Sequence, residues 1–383
     1  MADIFPYYAG FSYEWACSQL AAHRVSTSAL VLDPWNGSGT TTLAAQANGL
    51  RSIGVDLNPI ANIVAALRVQ ANDVTASKIT APDAGFLSED PAEPLLAWFT
   101  PSTAARLRQW ARMFEAQPEA PSAVGLVAMF RVVRQLTARF EGSNPTWVRR
   151  TSPGLSLVDV DHAKLDLMLA EEQEAVQRRL SEHPRCGASS TLITASASEL
   201  PIADGSINVI LTSPPYLTRI DYAVAYSREL AVMGVDISRD RRLRSKLMGT
   251  TLIRSDALSG EQGYGPRATE LVAQVAAHPS KASSGYYLKQ VRQYLDDLTK
   301  SFDELSRVSA EGAILMLVVQ DSYYKDIPVP LAEICIEEAV ARGWTSPDPK
   351  AYEVKRTLTQ LNTAARAYAK GKVAETVITL RRG

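Results

Sequence analysis

Short apolar runs, each closed by polar or turn-forming residues, alternate along the chain with longer segments in which apolar residues recur at helical spacing. Runs of about four to eight apolar or β-branched residues between turn signals are typical of buried strands. The predicted strands cover residues 29–32, 52–56, 191–195, 207–211, 313–319, 352–355 and 375–380. Because strands that alternate with helices form parallel sheets, we expect an α/β fold with a mostly parallel, seven-stranded sheet.

Two segments interrupt this alternation. Residues 73–189 contain several helical patterns, so we interpret them as a mostly helical insertion that is a candidate for target recognition. Residues 236–285 begin with clustered arginines and continue into a stretch rich in Gly, Ser and Pro, so we interpret them as a second, basic insertion. The core domain then consists of residues 1–72, 190–235 and 286–383.

Composition narrows the class of protein. The chain of 383 residues is 46% apolar, enough for a folded core, and its net charge of -1 gives no overall field that attracts nucleic acid. Contact with a polyanion therefore requires local basic clusters. Cys17, Cys186 and Cys335 lack the spacing of metal ligands or of a disulfide framework, so we expect reduced thiols and no metal. Without a basic leader or a long apolar run, we expect a cytoplasmic protein with no membrane contact.

The first predicted strand runs into a turn that we call the glycine loop, Asp33-Pro34-Trp35-Asn36-Gly37-Ser38-Gly39-Thr40-Thr41. Glycines let the backbone approach a ligand closely, and the start of the following helix offers free N–H groups. The loop has neither the third glycine of the dinucleotide fingerprint nor the Gly-Lys-Ser/Thr of a P-loop. Asp56 ends the second strand, where an acid can accept hydrogen bonds from a ribose diol. A ribose-bearing ligand without a pyrophosphate, such as S-adenosylmethionine, fits this pattern; a tight turn beside a surface aspartate is the alternative.

The fourth predicted strand ends at Thr212 and leads into Ser213-Pro214-Pro215-Tyr216, which we call the Ser-Pro-Pro-Tyr loop. Its prolines stiffen the backbone and hold the Ser213 hydroxyl, the Pro214 carbonyl and the Tyr216 ring at fixed relative positions. Two acceptors beside a stacking face suit a planar base with an exocyclic amine, although an ordinary strand-ending loop is the alternative. Ligands of open α/β sheets lie at the carboxyl edge, so we expect this loop and the glycine loop to face one crevice.

Together, the glycine loop, Asp56 and Thr212–Tyr216 resemble the amino-methyltransferases of DNA, and most closely the enzymes that form N4-methylcytosine. The resemblance covers residues 5–70, 190–235 and 286–383, and it implies a Rossmann-like methyltransferase sheet and S-adenosylmethionine as the cofactor. The catalytic residues that it implies are Ser213, Pro214, Pro215 and Tyr216. The cofactor-binding residues that it implies are Asp33, Pro34, Asn36, Gly37, Gly39, Thr40, Asp56, Leu57, Ser198, Phe11 and Ser12.

One position departs from the family pattern. After the third strand, the family usually has an acid that meets the adenine amine of the cofactor. Here that position is Ser196 or Ser198, with Glu199 close by.

The resemblance implies transfer of a methyl group to an exocyclic amine of a DNA base, with cytosine N4 favoured because Ser213 precedes Pro-Pro-Tyr. Adenine N6 in DNA and a base amine in RNA stay open as targets, as does a binding protein that keeps the fold without activity. Hydrogen bonds from the amine to Ser213 and Pro214 would direct its lone pair toward the methyl group. The base must be flipped out of a duplex or presented single-stranded, and Tyr216 would stack on it. A cognate restriction or defence component is a further candidate partner.

Two basic clusters are candidate phosphate contacts. The first is Arg149 and Arg150 beside Trp147. The second is the run Arg239, Arg241, Arg242, Arg244 and Lys246, in which Arg241, Arg242 and Arg244 are the candidate DNA-binding residues. We expect the second cluster to face DNA, and a solvated helix face is the alternative.

Overall fold

The structure, a computed structural model, describes residues 4–6, 11–23, 25–69, 82, 90–142, 148–150, 156–182, 187–217, 220–254, 263–280, 283–345, 350–353 and 374–383. The strands within these ranges are β1 (Leu30–Asp33), β2 (Arg51–Val55), β3 (Ser190–Ile193), β4 (Ile207–Thr212), β5 (Ser309–Gln320), β6 (Ser322–Tyr324), β7 (Ile327–Val329), β8 (Trp344–Thr345), β9 (Lys350–Glu353) and β10 (Ala374–Arg382).

The helices surround these strands in chain order. They are α1 (Tyr13–Ala22), α2 (Thr40–Ala47), α3 (Pro59–Val69), α4 (Pro101–Glu115), α5 (Glu119–Leu136), α6 (His162–Ser181), α7 (Tyr222–Ala225), α8 (Ser227–Val232), α9 (Arg242–Lys246), α10 (Pro266–Ala277), α11 (Leu288–Val308) and α12 (Leu331–Val340). Short 3-10 helices span Pro94–Ala97 and Ala138–Phe140, and a π-helical turn, Ser283–Tyr287, precedes α11.

The main sheet has the strand order β3-β2-β1-β4-β5-β10-β8, and β9 also pairs with β10. The strands from β3 to β5 are parallel, whereas β10 runs antiparallel to β5, β8 and β9. The predicted α/β fold with a mostly parallel sheet is therefore confirmed. The short strand β8 and the separate antiparallel hairpin β6–β7 were not predicted.

The strand order reverses between β1 and β4. The chain builds β2 and β3 on one side of β1 and then crosses to β4 and β5 on the other side. Leu32 of β1 lies opposite Ile210 of β4, so the loops that follow these strands diverge from one point of the sheet. In doubly wound sheets, the carboxyl edge at such a reversal is the usual place for a ligand.

Both faces of the central strands are buried. Val31 and Val209 pack with α1 and α2, whereas Leu32 and Ile210 face a second cluster that includes residues of α10, α11 and α12. Successive residues of a strand point to opposite faces, so a continuous apolar run is what a two-sided core requires. This explains why the core strands have no alternating polar positions.

The helices of the segment 73–189 join the core through α3 and α8. Their apolar residues form one cluster with these two helices, and the cluster includes Val64 of α3, Trp110, Phe130 and Leu230 of α8. Asp161 begins α6 as its N-cap and accepts a hydrogen bond from the N–H of Lys164 at 3.1 Å. A role for this segment in target recognition stays a prediction.

Candidate active site

The glycine loop and the Ser-Pro-Pro-Tyr loop are joined where they leave the sheet. The hydroxyl of Thr212 donates a hydrogen bond to Asp33 Oδ1 at 2.6 Å. The hydroxyl of Thr41, at the start of α2, donates to the carbonyl oxygen of Leu211 at 3.0 Å. Both bonds are buried, so the structure brings the two predicted motifs together at one edge of the sheet.

Two glycines give the glycine loop its shape. Gly37 has a φ of 50° and Gly39 a φ of 82°, both in the left-handed region. A Cβ atom at Gly39 would lie 2.9 Å from the Cβ of Ala65, so a side chain there would push α3 away. The N–H of Gly37 points to Asp56 and donates to Oδ2 at 2.9 Å. The loop therefore needs glycine both for its packing and for its contact with the predicted ribose acceptor.

Asn36 lies against the backbone of β2. A Cβ atom at Gly54 would be 2.4 Å from Asn36 Nδ2, so only glycine leaves room for this amide. Asn36 Oδ1 accepts a hydrogen bond from Thr42 at 3.3 Å, but its buried Nδ2 has no hydrogen-bond partner among the described residues. Gly54 was not singled out from the sequence, although a glycine inside a strand often marks a close backbone approach.

Two acids lie under and beside the glycine loop. Asp33 is only 3% exposed, and burial raises its pKa to about 6 against the hydrogen bonds from Thr212, Thr41 and Trp35. Burial likewise raises the pKa of Asp56 to about 6, the N–H groups of Asn58 and Gly37 lower it, and the nearby Asp33 charge raises it further. The crevice is therefore an environment in which two carboxylates gain stability from a cationic ligand.

Amide side chains line the end of β2 next to Asp56. The N–H of Asn58 donates to Asp56 Oδ1 at 2.8 Å. The Nδ2 group of Asn62 donates to the Asp56 carbonyl at 3.1 Å and to the Thr194 hydroxyl at 2.7 Å. Within the described ranges, the buried Asn58 Nδ2 and Asn62 Oδ1 have no partner. Buried polar groups without a partner are uncommon, and at a ligand site they are candidates for contacts with the ligand.

The remaining predicted cofactor residues lie on three elements. Ser12 caps α1 by accepting a hydrogen bond from the N–H of Trp15 at 3.2 Å, and the rings of Phe11 and Trp15 are 5.2 Å apart. After β3, the hydroxyls of Ser196 and Ser198 lie 2.8 Å apart. Pro34 and Leu57 flank the two acids in sequence, and Thr40 is the first residue of α2. Their contact with a cofactor stays a prediction.

The Ser-Pro-Pro-Tyr loop is held from below by α11. Tyr294 of α11 donates its hydroxyl to the carbonyl oxygen of Pro215 at 2.8 Å. Burial raises the pKa of Tyr294 well above 10, so the hydroxyl stays protonated and acts as a donor. Ser213 and Tyr216 are partly exposed above this contact. Tyr294 was predicted only as a core residue, yet a buried tyrosine usually needs a hydrogen-bond partner, and that need was the available signal.

A segment of the predicted basic insertion also holds the loop. We call residues 247–254 the strap. Gly249 in the strap has a φ of 77°, and a Cβ atom there would lie 2.9 Å from the carbonyl oxygen of Tyr216. The strap backbone therefore approaches Tyr216 as closely as glycine allows, and it restricts where this loop can move.

The second basic cluster divides into paired and exposed arginines. Arg244 donates from Nε to the buried Asp221 carboxylate at 3.0 Å and from NH2 to Thr251 of the strap at 2.8 Å. Arg242 is largely exposed and pairs only with Asp240, at 2.6 Å, among the described residues. Arg241 is exposed at the start of α9. The guanidinium of Arg244 is thus engaged inside the fold, and phosphate contact by this cluster stays a prediction.

The first basic cluster is only partly described. Trp147 lies outside the described residues. Arg150 forms a salt bridge with Asp236 at 2.9 Å, and the carbonyl of Arg149 accepts a hydrogen bond from the indole of Trp98 at 2.8 Å. No described residue group of three or more His, Cys, Asp or Glu side chains is arranged to hold a metal ion. Across the described helices, none is both long and apolar enough to cross a membrane.

Comparisons with known proteins give one similar relative and remote structural likenesses. No protein-family model matches the chain. The Type II methyltransferase M.BsoBI of Geobacillus stearothermophilus is 22% identical over 380 residues, which span 85% of this chain and 75% of that protein. A SAM-dependent methyltransferase structure from Methanosarcina mazei is 10% identical, with 95% of this chain and 96% of that chain covered and a TM-score of 0.34. A geranyl diphosphate C-methyltransferase structure from Streptomyces coelicolor A3(2) is 9% identical, with 97% of this chain and 80% of that chain covered and a TM-score of 0.35. At these TM-scores, the fold assignment rests on the strand order itself.

Proposed function

We propose that this protein is an S-adenosylmethionine-dependent methyltransferase that acts on the N4 amine of cytosine in DNA. The observation that carries the proposal is the buried contact between Thr212 and Asp33, which joins the glycine loop to the Ser-Pro-Pro-Tyr loop at the strand reversal. A cofactor on the first loop and a base on the second would then be neighbours. The 22% identity to a Type II methyltransferase supports methyl transfer, and the motif resemblance supports DNA.

The residues around the glycine loop fit this cofactor. S-adenosylmethionine supplies an activated methyl group on a sulfonium cation. Asp56 accepts two N–H groups and keeps acceptor capacity for a ribose diol. Burial raises the pKa values of Asp33 and Asp56 to about 6, and neither carboxylate forms a salt bridge with the described residues, so a cationic ligand would stabilise both. The unpartnered amide atoms of Asn36, Asn58 and Asn62 add donors and an acceptor at the same edge.

The Ser-Pro-Pro-Tyr loop offers two acceptors for an amine. The Pro215 carbonyl is engaged by Tyr294, whereas the Pro214 carbonyl and the Ser213 hydroxyl form no hydrogen bond with the described residues. An amine that donates its two hydrogens to these oxygens has its lone pair turned away from the base ring. Positive charge develops on that nitrogen during transfer, and preorganised acceptors stabilise it. Tyr216 presents a partly exposed ring on which the base can stack.

The resemblance favours cytosine over adenine, because the resembling cytosine enzymes tend to carry serine before Pro-Pro-Tyr, as Ser213 does here. A flipped or single-stranded base is required because the amine is not accessible inside a duplex. The proposal carries with it a cytoplasmic location and a cognate restriction or defence component as a partner. N6-methyladenine, or methylated RNA with unmodified DNA, would correct the target while leaving the chemistry in place.

The test is methyl transfer from labelled S-adenosylmethionine to DNA and to RNA, followed by digestion and identification of the modified base. We expect N4-methylcytosine, and a more than about tenfold slower transfer in Ser213→Ala with unchanged cofactor affinity, because one transition-state acceptor is lost. Ser26→Ala, in the exposed turn before β1, is the matched control. Cofactor binding without transfer to either nucleic acid would contradict the proposal.

A further inference from the structure

A cluster of aromatic residues lies where the hairpin β6–β7 meets the π-helical turn before α11. We call Tyr286, Tyr287, Tyr324 and Lys325 the aromatic rim. The ring centroids of Tyr286 and Tyr287 are 5.1 Å apart, and those of Tyr287 and Tyr324 are 4.9 Å apart. Tyr324 is 4% exposed and Tyr286 is 40% exposed. The cluster therefore leads from a buried ring to a ring that is open to a ligand.

The strap connects the aromatic rim to the Ser-Pro-Pro-Tyr loop. Tyr286 donates its hydroxyl to the carbonyl oxygen of Thr251 in the strap. Gly249, two residues earlier in the strap, lies against the carbonyl of Tyr216. The exposed ring is thus anchored to the same short segment that packs on the backbone of Tyr216, the residue proposed to stack on the target base.

Helix α11 connects the aromatic rim to the residue that supports the Ser-Pro-Pro-Tyr loop. Tyr294, which holds Pro215, follows Tyr287 by seven residues along the helix. At 1.5 Å per residue this is roughly 10 Å. One strand of DNA advances about 3.4 Å per nucleotide, so this length of helix corresponds to about three nucleotides. The contacts through the strap and α11 thus bring the aromatic rim within a few nucleotide lengths of the Ser-Pro-Pro-Tyr loop.

Lys325 places a positive charge on this cluster in an unusual backbone conformation. It is the first residue of the two-residue turn between β6 and β7, and its φ of 54° lies in the region that favours glycine. Its ammonium lies 5.6 Å from the Tyr324 centroid and 6.0 Å from that of Tyr287. The adjacent Asp326 is paired with His278 at 2.8 Å, and Lys325 takes part in no salt bridge in the described part of the chain. A lysine held in this backbone conformation beside a partly exposed tyrosine is a candidate for contact with an external anion.

We propose that the aromatic rim binds the nucleic-acid strand beside the target nucleotide: Tyr286 stacks on an unpaired flanking base, and Lys325 contacts a neighbouring phosphate. The inference deepens the proposed function and rests on it, since it requires a nucleic-acid substrate. Exposed aromatic rings combined with local positive charge are the arrangement by which proteins hold single strands. A chain with a net charge of -1 has no general attraction for a polyanion, so such a local site is needed.

The test compares two oligomers with the full-length protein by fluorescence anisotropy at several salt concentrations. One is a single strand of about 15 thymidines, within the site sizes of single-strand binders. The other is an abasic strand with the same number of phosphates. The variants are Tyr286→Ala, Tyr286→Phe and Lys325→Gly, and Leu167→Ala, on an exposed position of α6, is the control. Thermal melting of each variant monitors the fold.

We expect the wild type to prefer the thymidine strand, and Tyr286→Ala to bind that strand at least about fivefold more weakly without a change for the abasic strand. Tyr286→Phe keeps the ring and should retain the preference. Lys325→Gly should flatten the salt dependence for both strands by about 0.7 in slope. Its melting temperature should not fall, because glycine accepts the φ of 54° without strain.

The proposal is overturned if the wild type does not distinguish the two strands, or if Tyr286→Ala keeps the preference. It is also overturned if Tyr286→Phe loses as much as Tyr286→Ala, because the hydroxyl contact with Thr251 would then be the cause. Methyl transfer by the wild type is measured in parallel. Normal transfer to DNA with an unchanged strand preference in Tyr286→Ala rejects the aromatic rim alone, whereas the absence of transfer to any nucleic acid rejects the proposed function.

Discussion

Asp33 is a buried acid whose charge opposes folding at neutral pH, and replacing it with asparagine should stabilise the protein. Its pKa is raised from 3.8 to about 6, mainly by burial. Ionising such a group at neutral pH destabilises the folded state by about 3 kcal/mol relative to an ordinary aspartate. In Asp33→Asn, the amide oxygen can still accept from the Thr212 hydroxyl and the Trp35 N–H, which both bond Oδ1. The variant keeps these hydrogen bonds and loses the buried charge.

The effect has a defined dependence on pH. Because the folded-state pKa of Asp33 lies above the unfolded value, the folded protein binds more protons between about pH 4 and pH 6. The contribution of this residue to stability is therefore largest at low pH and is lost as pH rises through about 6. Asparagine does not titrate, so the gain in Asp33→Asn should be full above about pH 6.5 and absent near pH 4. With an unfolding entropy of about 2.1 cal/mol/K per residue, a gain of about 3 kcal/mol in this chain raises the melting temperature by about 4 °C.

The assay is thermal unfolding of both proteins at several pH values between about 4 and 8, the window set by the two pKa values. Glu311→Gln replaces an exposed acid of β5 and serves as the control for removing one negative charge. Asp33→Asn should also bind S-adenosylmethionine more weakly than the wild type, because the crevice loses a carboxylate. The reasoning would be refuted if Asp33→Asn lowered the melting temperature relative to the wild type by the same amount at every pH. The weaker acceptor strength of an amide oxygen toward the Thr212 hydroxyl would then outweigh the removal of the buried charge.

Three further results are expected. Affinity for S-adenosylmethionine should fall by up to tenfold per pH unit below about pH 6, because the ionised form of Asp56 is the better acceptor. Calorimetric titration should show a weaker pH dependence of affinity for Asp56→Asn than for the wild type. Tyr294→Phe should slow methyl transfer while cofactor affinity is unchanged, since the Pro215 carbonyl loses its donor; single-turnover rates check this, and a normal rate would contradict it. Arg244→Ala should lower the melting temperature because the buried Asp221 loses its ion pair. Arg242→Ala should leave the melting temperature unchanged. If Arg242 contacts a phosphate, its removal should also flatten the salt dependence of DNA affinity by about 0.9 in slope.

The core strands could be predicted from the sequence because strands that are buried on both faces are continuous apolar runs. The run Ile207–Leu211 became β4, and the acid and hydroxyl groups at the ends of these strands lie at the expected edge. Elements that depend on their neighbours were not predictable in this way. Trp344–Thr345 is too short for a periodic pattern. The turn at Lys325 lacks the glycine or asparagine that usually marks a hairpin.

The site residues also divide into those that a local sequence pattern marks and those that depend on contacts with distant residues. Asp33 and Ser213 stand next to strong local signals, a glycine turn and a pair of prolines, so sequence reasoning selected them. Tyr294 acts through a contact with a residue 79 positions earlier; a tyrosine on the buried face of α11 signals that a partner is needed, but no local pattern identifies that partner. Gly54 matters because of a side chain in another strand-end loop. These roles depend on tertiary contacts, which a single sequence does not specify.

The basic cluster before the strap shows that a run of basic residues does not reveal which of its arginines is paired inside the fold. Arg242 and Arg244 are equivalent in sequence, since both lie in one run of basic residues. Their difference comes from Asp221, which lies 23 positions before Arg244 and whose burial makes a paired cation necessary. The same carboxylate also accepts from the N–H and hydroxyl of Thr251, so it fixes the strap on the segment that follows the Ser-Pro-Pro-Tyr loop. One end of the predicted DNA-binding insertion is thereby tied to the proposed catalytic loop, and the exposed Arg241 and Arg242 lie at the start of α9, shortly before that anchored segment. If these arginines contact phosphates, the close approach of Gly249 to the Tyr216 carbonyl places that contact on the segment that supports the proposed base-stacking residue.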